Sequence, residues 1–289
     1  MSALEIIFAA NNSSRQPLVV TSQDGSGWNN NIATGEGCAE YSGPCITRFG
    51  ASMVVAWSDA GANLRTATSS SPGALSASSH VTGNSHSSPS LCEHQGRVYC
   101  ANTYGATIQV RSSADGLSWS SPSSIPVPAL LGACAIASHA GRLHAAYIGV
   151  YGLQLSASDD GSTWDEPLSL GGSPIIGTPA LASFKGRLRL AYVTNGHRDL
   201  VIRSSEDGKT WGDSTPVADH RSNTSPTLTS YGDNLFLAYT KAAPDALLLV
   251  VSSSDGTSWS GDTVVNGESV WVPDTLNTVY PMLSMAVRP

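Results

Sequence analysis

One seven-residue pattern, Ser-x-Asp-Gly-x-x-Trp, returns five times in this chain of 289 residues: Ser22 to Trp28, Ser113 to Trp119, Ser158 to Trp164, Ser205 to Trp211 and Ser253 to Trp259. Its aspartates stand at 24, 115, 160, 207 and 255, in steps of 91, 45, 47 and 48 residues. The first step is two periods long. Its midpoint holds Ser69-Ser-Ser-Pro-Gly73, a worn copy that has lost both Asp and Trp. Such a period constrains the fold more than any other feature, because each unit must bury its apolar face against a copy of itself.

A second motif keeps step with the first. Ser88-Pro89, Thr178-Pro179 and Ser225-Pro226 each open a short apolar run, and Gly96-Arg97, Gly141-Arg142 and Gly186-Arg187 mark tight turns. The segments that follow end in Ala-Tyr at Tyr147, Tyr192 and Tyr239. Each unit therefore reads as four short strands, with turn signals every 8–12 residues or so and no competing helical period. Four-stranded units at this period predict an all-β chain, a six-bladed β-propeller in one domain. The blades fall at about 38–83, 84–128, 129–172, 173–219 and 220–274, and one more joins 279–289 to 1–37. In that last blade the segment from Tyr280 to Pro289 supplies the first strand, and Leu4 to Ala10 and Pro17 to Trp28 supply later ones. Closing the ring this way pairs strand edges that would otherwise template association.

Composition narrows the function. The formal charge is -7 with no Lys/Arg cluster, so a phosphate backbone finds no electrostatic footprint and nucleic acid is excluded as a partner. No apolar run reaches the ~18 residues of a membrane span, and the start lacks a signal-peptide pattern. The expectation is a soluble chain, cytoplasmic or exported by a non-classical route. The five cysteines read as free thiols, with Cys92/Cys100 and Cys38/Cys45 the pairs near enough in sequence to join. The seven histidines show no ligand spacing, and no phosphate loop or nucleophile elbow is present, so neither metal nor cofactor is expected.

The five Ser-x-Asp-Gly-x-x-Trp copies resemble the Asp-box (BNR) repeat of sialidase-like propellers, with the residue usually found between Asp and Gly missing from every copy. The aspartates Asp24, Asp115, Asp160, Asp207 and Asp255 read as structural: the carboxylate accepts backbone N–H groups, the Gly permits positive φ, and the Trp packs on a neighbour. If the first strand of each blade runs from an upper to a lower face, the Gly-Arg turns and Asp boxes fall below. The loops after Ala-Tyr and the links into Ser/Thr-Pro fall above. The resemblance implies a ligand on that upper face. It also implies, for an enzyme, a Tyr nucleophile paired with a Glu, an Asp acid/base and three arginines clamping a carboxylate. Tyr280, in Tyr280-Pro-Met-Leu283, is the one match to that set, and the arginines after the Gly turns lie on the wrong face.

The upper loops hold aromatics and amides instead. Trp57, His86, Asn102, Tyr104, Tyr147, Tyr192, Asn195, His197, Arg198 and Tyr239 are the candidate carbohydrate-binding residues, because aromatic faces stack on sugar rings while neutral amides read hydroxyls. Trp57, Tyr147, Tyr192 and Tyr239 share one repeat position, and a repeated aromatic more often packs between blades than contacts a ligand. The sequence thus points to a non-catalytic, lectin-like propeller with glycans as partners. The alternatives are a sialidase-like hydrolase using Tyr280 and a protein-binding scaffold.

Overall fold

The computed structural model describes residues 2–10, 15–29, 32–33, 37–40, 42–85, 87–127, 130–171, 175–222, 224–241, 246–269 and 283–289. In chain order the strands of the first blade are β1 (Ala3–Ala9), β2 (Pro17–Ser22) and β3 (Ile32–Ala33). The second blade has β4 (Cys45–Phe49), β5 (Ser52–Ser58), β6 (Asn63–Ser71), β7 (Ala74–Leu75) and β8 (Ser79–Asn84). The third has β9 (Ser90–His94), β10 (Arg97–Tyr104), β11 (Thr107–Ser113) and β12 (Ser123–Ile125). The fourth has β13 (Leu130–His139), β14 (Arg142–Gly149), β15 (Gly152–Ser158) and β16 (Leu168–Ser169). The fifth has β17 (Ile175–Phe184), β18 (Arg187–Thr194), β19 (Asp199–Ser205) and β20 (Thr215–Arg221). The sixth has β21 (Thr227–Tyr231), β22 (Asn234–Thr240), β23 (Leu247–Ser253) and β24 (Thr263–Ser269), and β25 (Leu283–Arg288) follows. Every pairing is antiparallel, and β25 completes the first blade in the order β25-β1-β2-β3. The chain is a six-bladed β-propeller with four antiparallel strands per blade. In the second blade the outer strand is broken into β7 and β8, which both pair with β6.

The second strand of each blade is buried on both faces and reads as a largely continuous apolar run, whereas a third strand such as β11 alternates, its Ile108 and Val110 interleaved with Gln109 and Arg111. Among the described residues six apolar clusters form, one in each seam between neighbouring blades. The box tryptophans sit in these seams. Trp164, for example, packs with Tyr99 and Ala101 of the preceding blade, and Trp259 with Ala191 and Val193.

The innermost strands β25, β4, β9, β13, β17 and β21 line a central channel of about 840 Å³. Their inner edges have no strand partner among the described residues, and hydroxyls from the neighbouring blades cap them. Ile46, Ile136 and Met285 donate their backbone N–H to Ser284, Ser90 and Thr227 at 3.2, 3.1 and 3.3 Å. The Ser/Thr-Pro motif does the same at the upper mouth, where Gly43 and Thr178 donate to Ser88 and Ser225 at 2.7 and 2.8 Å. A proline beside that hydroxyl is tolerated because an edge strand has no ladder bond for it to break.

Counting along the strand registers puts Leu283, opposite Phe8, at the place that Pro89 holds in the third blade. All five cysteines are free and buried. Cys92 faces the fourth blade and Cys100 the second, while Cys38 and Cys45 lie in different seams, so neither pair is aligned to join.

Candidate functional site

The lower face is built by the five boxes, and all five have one geometry. Ser158 Oγ accepts the Gly161 N–H at 2.8 Å and donates to Asp160 Oδ1, which accepts the N–H groups of Ser162 and Thr163 at 2.7 and 2.8 Å. The boxes of Asp24, Asp115, Asp207 and Asp255 repeat this pattern. These donors hold the carboxyls well below the usual carboxylate range. For Asp115, Asp160, Asp207 and Asp255 the backbone bonds are the largest cause; for Asp24 it is the Ser26 hydroxyl. Carboxylates so occupied close the turns.

Above, the repeat-position aromatics are packing residues, which corrects their assignment as ligand contacts. Trp57, Tyr147, Tyr192 and Tyr239 are buried against the preceding blade in four different seams. Tyr147 bonds Ser156 at 3.0 Å, and Tyr239 donates to Asp262 and lies 2.9 Å from His220 Nδ1. Burial pushes the phenols of Tyr147, Tyr192 and Tyr239 up, so none is poised as a nucleophile. Asn102 holds the same repeat position and is also buried: its amide donates to the Asn84 carbonyl and its oxygen accepts from Arg111 Nη1 at 2.8 Å. Sequence reasoning missed this polar seam, although an Asn replacing the repeated aromatic marks it.

Three neighbouring upper loops present exposed side chains. In the third blade Tyr104 is 47% exposed, beside the Gly105 turn. In the fourth, Gly149 pairs with Gly152 and leaves Val150 and Tyr151 as a two-residue hairpin tip, 52% and 69% exposed. Such tips favour Gly, Asn and Asp, so a β-branched residue followed by an aromatic is not there for the turn. In the fifth, Asn195 and His197 are exposed and Arg198 is half-buried at φ 60°. That loop is closed by the Asp199 N–H bonding Thr194 Oγ1 at 3.2 Å. His86 and Tyr280 lie outside the described residues.

The arginines on this ring are already engaged. All twelve arginines lie among the described residues. Arg65 pairs with Asp59, Arg142 with Asp159 and Asp165, Arg187 with Glu206, Arg221 with Asp199 and Arg288 with Glu5. Arg15, Arg48, Arg189 and Arg203 donate to backbone carbonyls, Arg97 to Ser112 and Arg111 to Asn102 and Gln109. Arg198 too has a partner within the protein. Along the described channel wall the charged residues are Arg48 and Glu93, both at the end nearer the Gly turns. No group of three His, Cys, Asp or Glu side chains among the described residues is placed to hold a metal ion.

No protein-family model and no curated protein matches the chain. Solved structures do. The BP39L lectin from Burkholderia pseudomallei superposes with a TM-score of 0.69 at 12% identity, covering 90% of this chain and 80% of the lectin. The Aleuria aurantia lectin, in a mutant complexed with Fucα1-6GlcNAc, gives a TM-score of 0.68 at 13% identity over 94% of both chains. The Hadza microbial sialidase Hz136 gives 0.60 at 12% identity, covering 88% of this chain and 67% of the enzyme. At these identities the likeness is one of fold, a propeller architecture that this chain shares with lectins and with a glycosidase alike.

Proposed function

We propose that the protein is a non-catalytic, lectin-like propeller that binds glycans on its upper rim. The observation that carries this reading is the run of exposed Tyr104, Val150-Tyr151 and Asn195/His197 on three consecutive blades. An exposed phenol ring stacks on the apolar face of a pyranose, and amide, imidazole and hydroxyl groups read its OH groups without burying a net charge. The engaged arginines favour a neutral sugar over a carboxylated one. Lectins among the solved structures support the reading, and one is described as a fucose-specific lectin from Aleuria aurantia, so fucosylated glycans head the list of probes.

A glycan array run beside a fluorogenic sialoside assay tests it. The expected outcome is binding without turnover, with Tyr151→Ala weakening the best glycan roughly three- to tenfold, the worth of one exposed stacking contact. Turnover that disappears in Tyr280→Phe establishes a hydrolase instead. Silence in both assays leaves a protein-binding scaffold.

A further inference from the structure

Seven peptide bonds in this chain join Asp or Asn to Gly: the Asp-Gly bonds of the five boxes, Asn195-Gly196 and Asn266-Gly267. A glycine nitrogen is unhindered by a neighbouring Cβ, so it can attack the side-chain carbonyl of the preceding residue and close a five-membered succinimide ring. Two restraints suppress that attack. One is a hydrogen bond that occupies the glycine N–H; the other is a contact that fixes the side chain or keeps a carboxyl ionised, since a carboxylate offers no leaving group.

Six of the seven bonds are restrained. In every box the glycine N–H donates to the serine hydroxyl at 2.8 Å. The bonds that each box aspartate accepts hold its carboxyl well below the usual range, so it stays ionised. Asn266 lies inside β24 and donates its amide to the Asn29 carbonyl. Asn195-Gly196 has neither restraint. Both residues are exposed in the loop between β18 and β19, and among the described residues neither the Asn195 amide nor the Gly196 N–H has a hydrogen-bond partner. Gly196 stands at φ 103°, and the place a Cβ would take there has no atom within 4 Å. The base of the loop is fixed, by the Asp199 N–H on Thr194 Oγ1 at 3.2 Å and by the Ser222 N–H on the Arg198 carbonyl at 3.0 Å. The free pair is thus a tip held out in water.

We infer that Asn195-Gly196 is a site of spontaneous covalent modification, through which the fifth-blade rim loop gains a negative charge as the protein ages. The Gly196 nitrogen bonds to Asn195 Cγ, the Cγ–Nδ2 bond breaks, and the proton of the Gly196 N–H leaves with Nδ2 as ammonia. Water then opens the imide at either carbonyl, giving aspartate or isoaspartate, the second with one extra methylene in the backbone. Water is the only reactant. Beside His197 and Arg198 an amide that both donates and accepts becomes a carboxylate that only accepts, so the loop's recognition of hydroxyl groups changes with its charge. This last consequence rests on the carbohydrate-binding reading; the modification itself does not.

The purified full chain is held at 37 °C at pH 6 and pH 8, with and without urea. Samples are digested at acidic pH and read by mass spectrometry and with an isoaspartate-specific methyltransferase. In the native protein, conversion at residue 195 is expected to grow with time and to run faster at pH 8, where the glycine nitrogen loses its proton more readily. Asn266 and the five box aspartates stay unchanged, and Asn195→Gln, which would need a six-membered ring, does not convert. In urea Asn266 converts as fast as Asn195, which assigns its protection to the fold. A native protein that keeps Asn195 intact, or converts it no faster than Asn266, refutes the site. On the glycan array Asn195→Asp is expected to weaken the best glycan about two- to tenfold, the worth of one hydrogen bond. Equal binding by Asn195→Asp and the unaltered protein overturns the effect on the rim, whereas an array silent for both overturns the lectin reading alone.

Discussion

At the scale of single residues, the seams are set by contacts between a glycine and the side chain that faces it. Gly208 has φ 73°, and a Cβ there would lie 2.2 Å from His144 Cε1; Gly161 stands the same way against Tyr99. Buried in this contact, His144 is pushed down to about 4, chiefly by desolvation and next by the neighbouring charge of His139. The unfolded chain takes up this proton near pH 6.5 and the folded protein only near 4. The contribution is therefore whole above about pH 6.5 and is lost as pH falls from there to about 4, at up to about 1.4 kcal/mol per pH unit. Urea unfolding at pH 7, 5.5 and 4.5 checks this: His144→Tyr, which borrows the residue of the third blade, has the shallower slope, and an equal slope in both proteins refutes the assignment. This scale was the least legible in the sequence. Trp57, Tyr147, Tyr192 and Tyr239 were visible as a repeated aromatic, but a sequence does not say whether the end of a strand turns its side chain into a seam or out to solvent. Tyr104, Asn195 and His197 stand out in the sequence because they interrupt the repeat inside loops, and all three are exposed.

At the scale of the element, the box turn works as a unit whose serine is its buried part. Ser158 is fully buried and its hydroxyl satisfies the Gly161 N–H, whereas Asp160 lies in solvent. Ser158→Ala strands that buried N–H, and an expected cost of about 1–3 kcal/mol appears as a lower urea midpoint with unchanged m-value. A change below about 0.5 kcal/mol contradicts the role given to the hydroxyl. This element was plain in the sequence, since Ser, Asp and Gly at fixed offsets specify a turn by local chemistry alone. The Ser/Thr-Pro opening was visible as a motif but not as a cap, because its partner N–H sits on the neighbouring blade some 45 residues away. The same distance hid the register of β25, whose Leu283 stands opposite Phe8.

At the scale of the whole molecule, the ring is held shut by β25 and by one buried ion pair. Arg288 donates through Nη2 to Glu5 at 3.0 Å and to the Ser69 hydroxyl at 2.9 Å, and through Nη1 to the Ser69 carbonyl at 3.1 Å. Where the second blade lacks its box, the closing strand thus grips the worn turn directly. Deleting 280–289 bares the β1 edge and leaves Glu5 as a buried charge without its cation, a loss of about 3–5 kcal/mol before any apolar contact is counted. The expected product aggregates on size exclusion or melts well below the full chain; an unchanged melting temperature refutes closure by β25. The blade count was legible because six periods account for nearly the whole chain, while the Glu5–Arg288 pair joins residues too far apart for any local pattern. The seams themselves have a further consequence. In five joints one half is always a bare glycine, while the other is Phe236, Val54, Tyr99, His144 or Arg189. A joint with one fixed half and one indifferent half lets adjoining blades diverge without renegotiating their fit, so a ring of unlike modules stays closed while its rim is free to specialise.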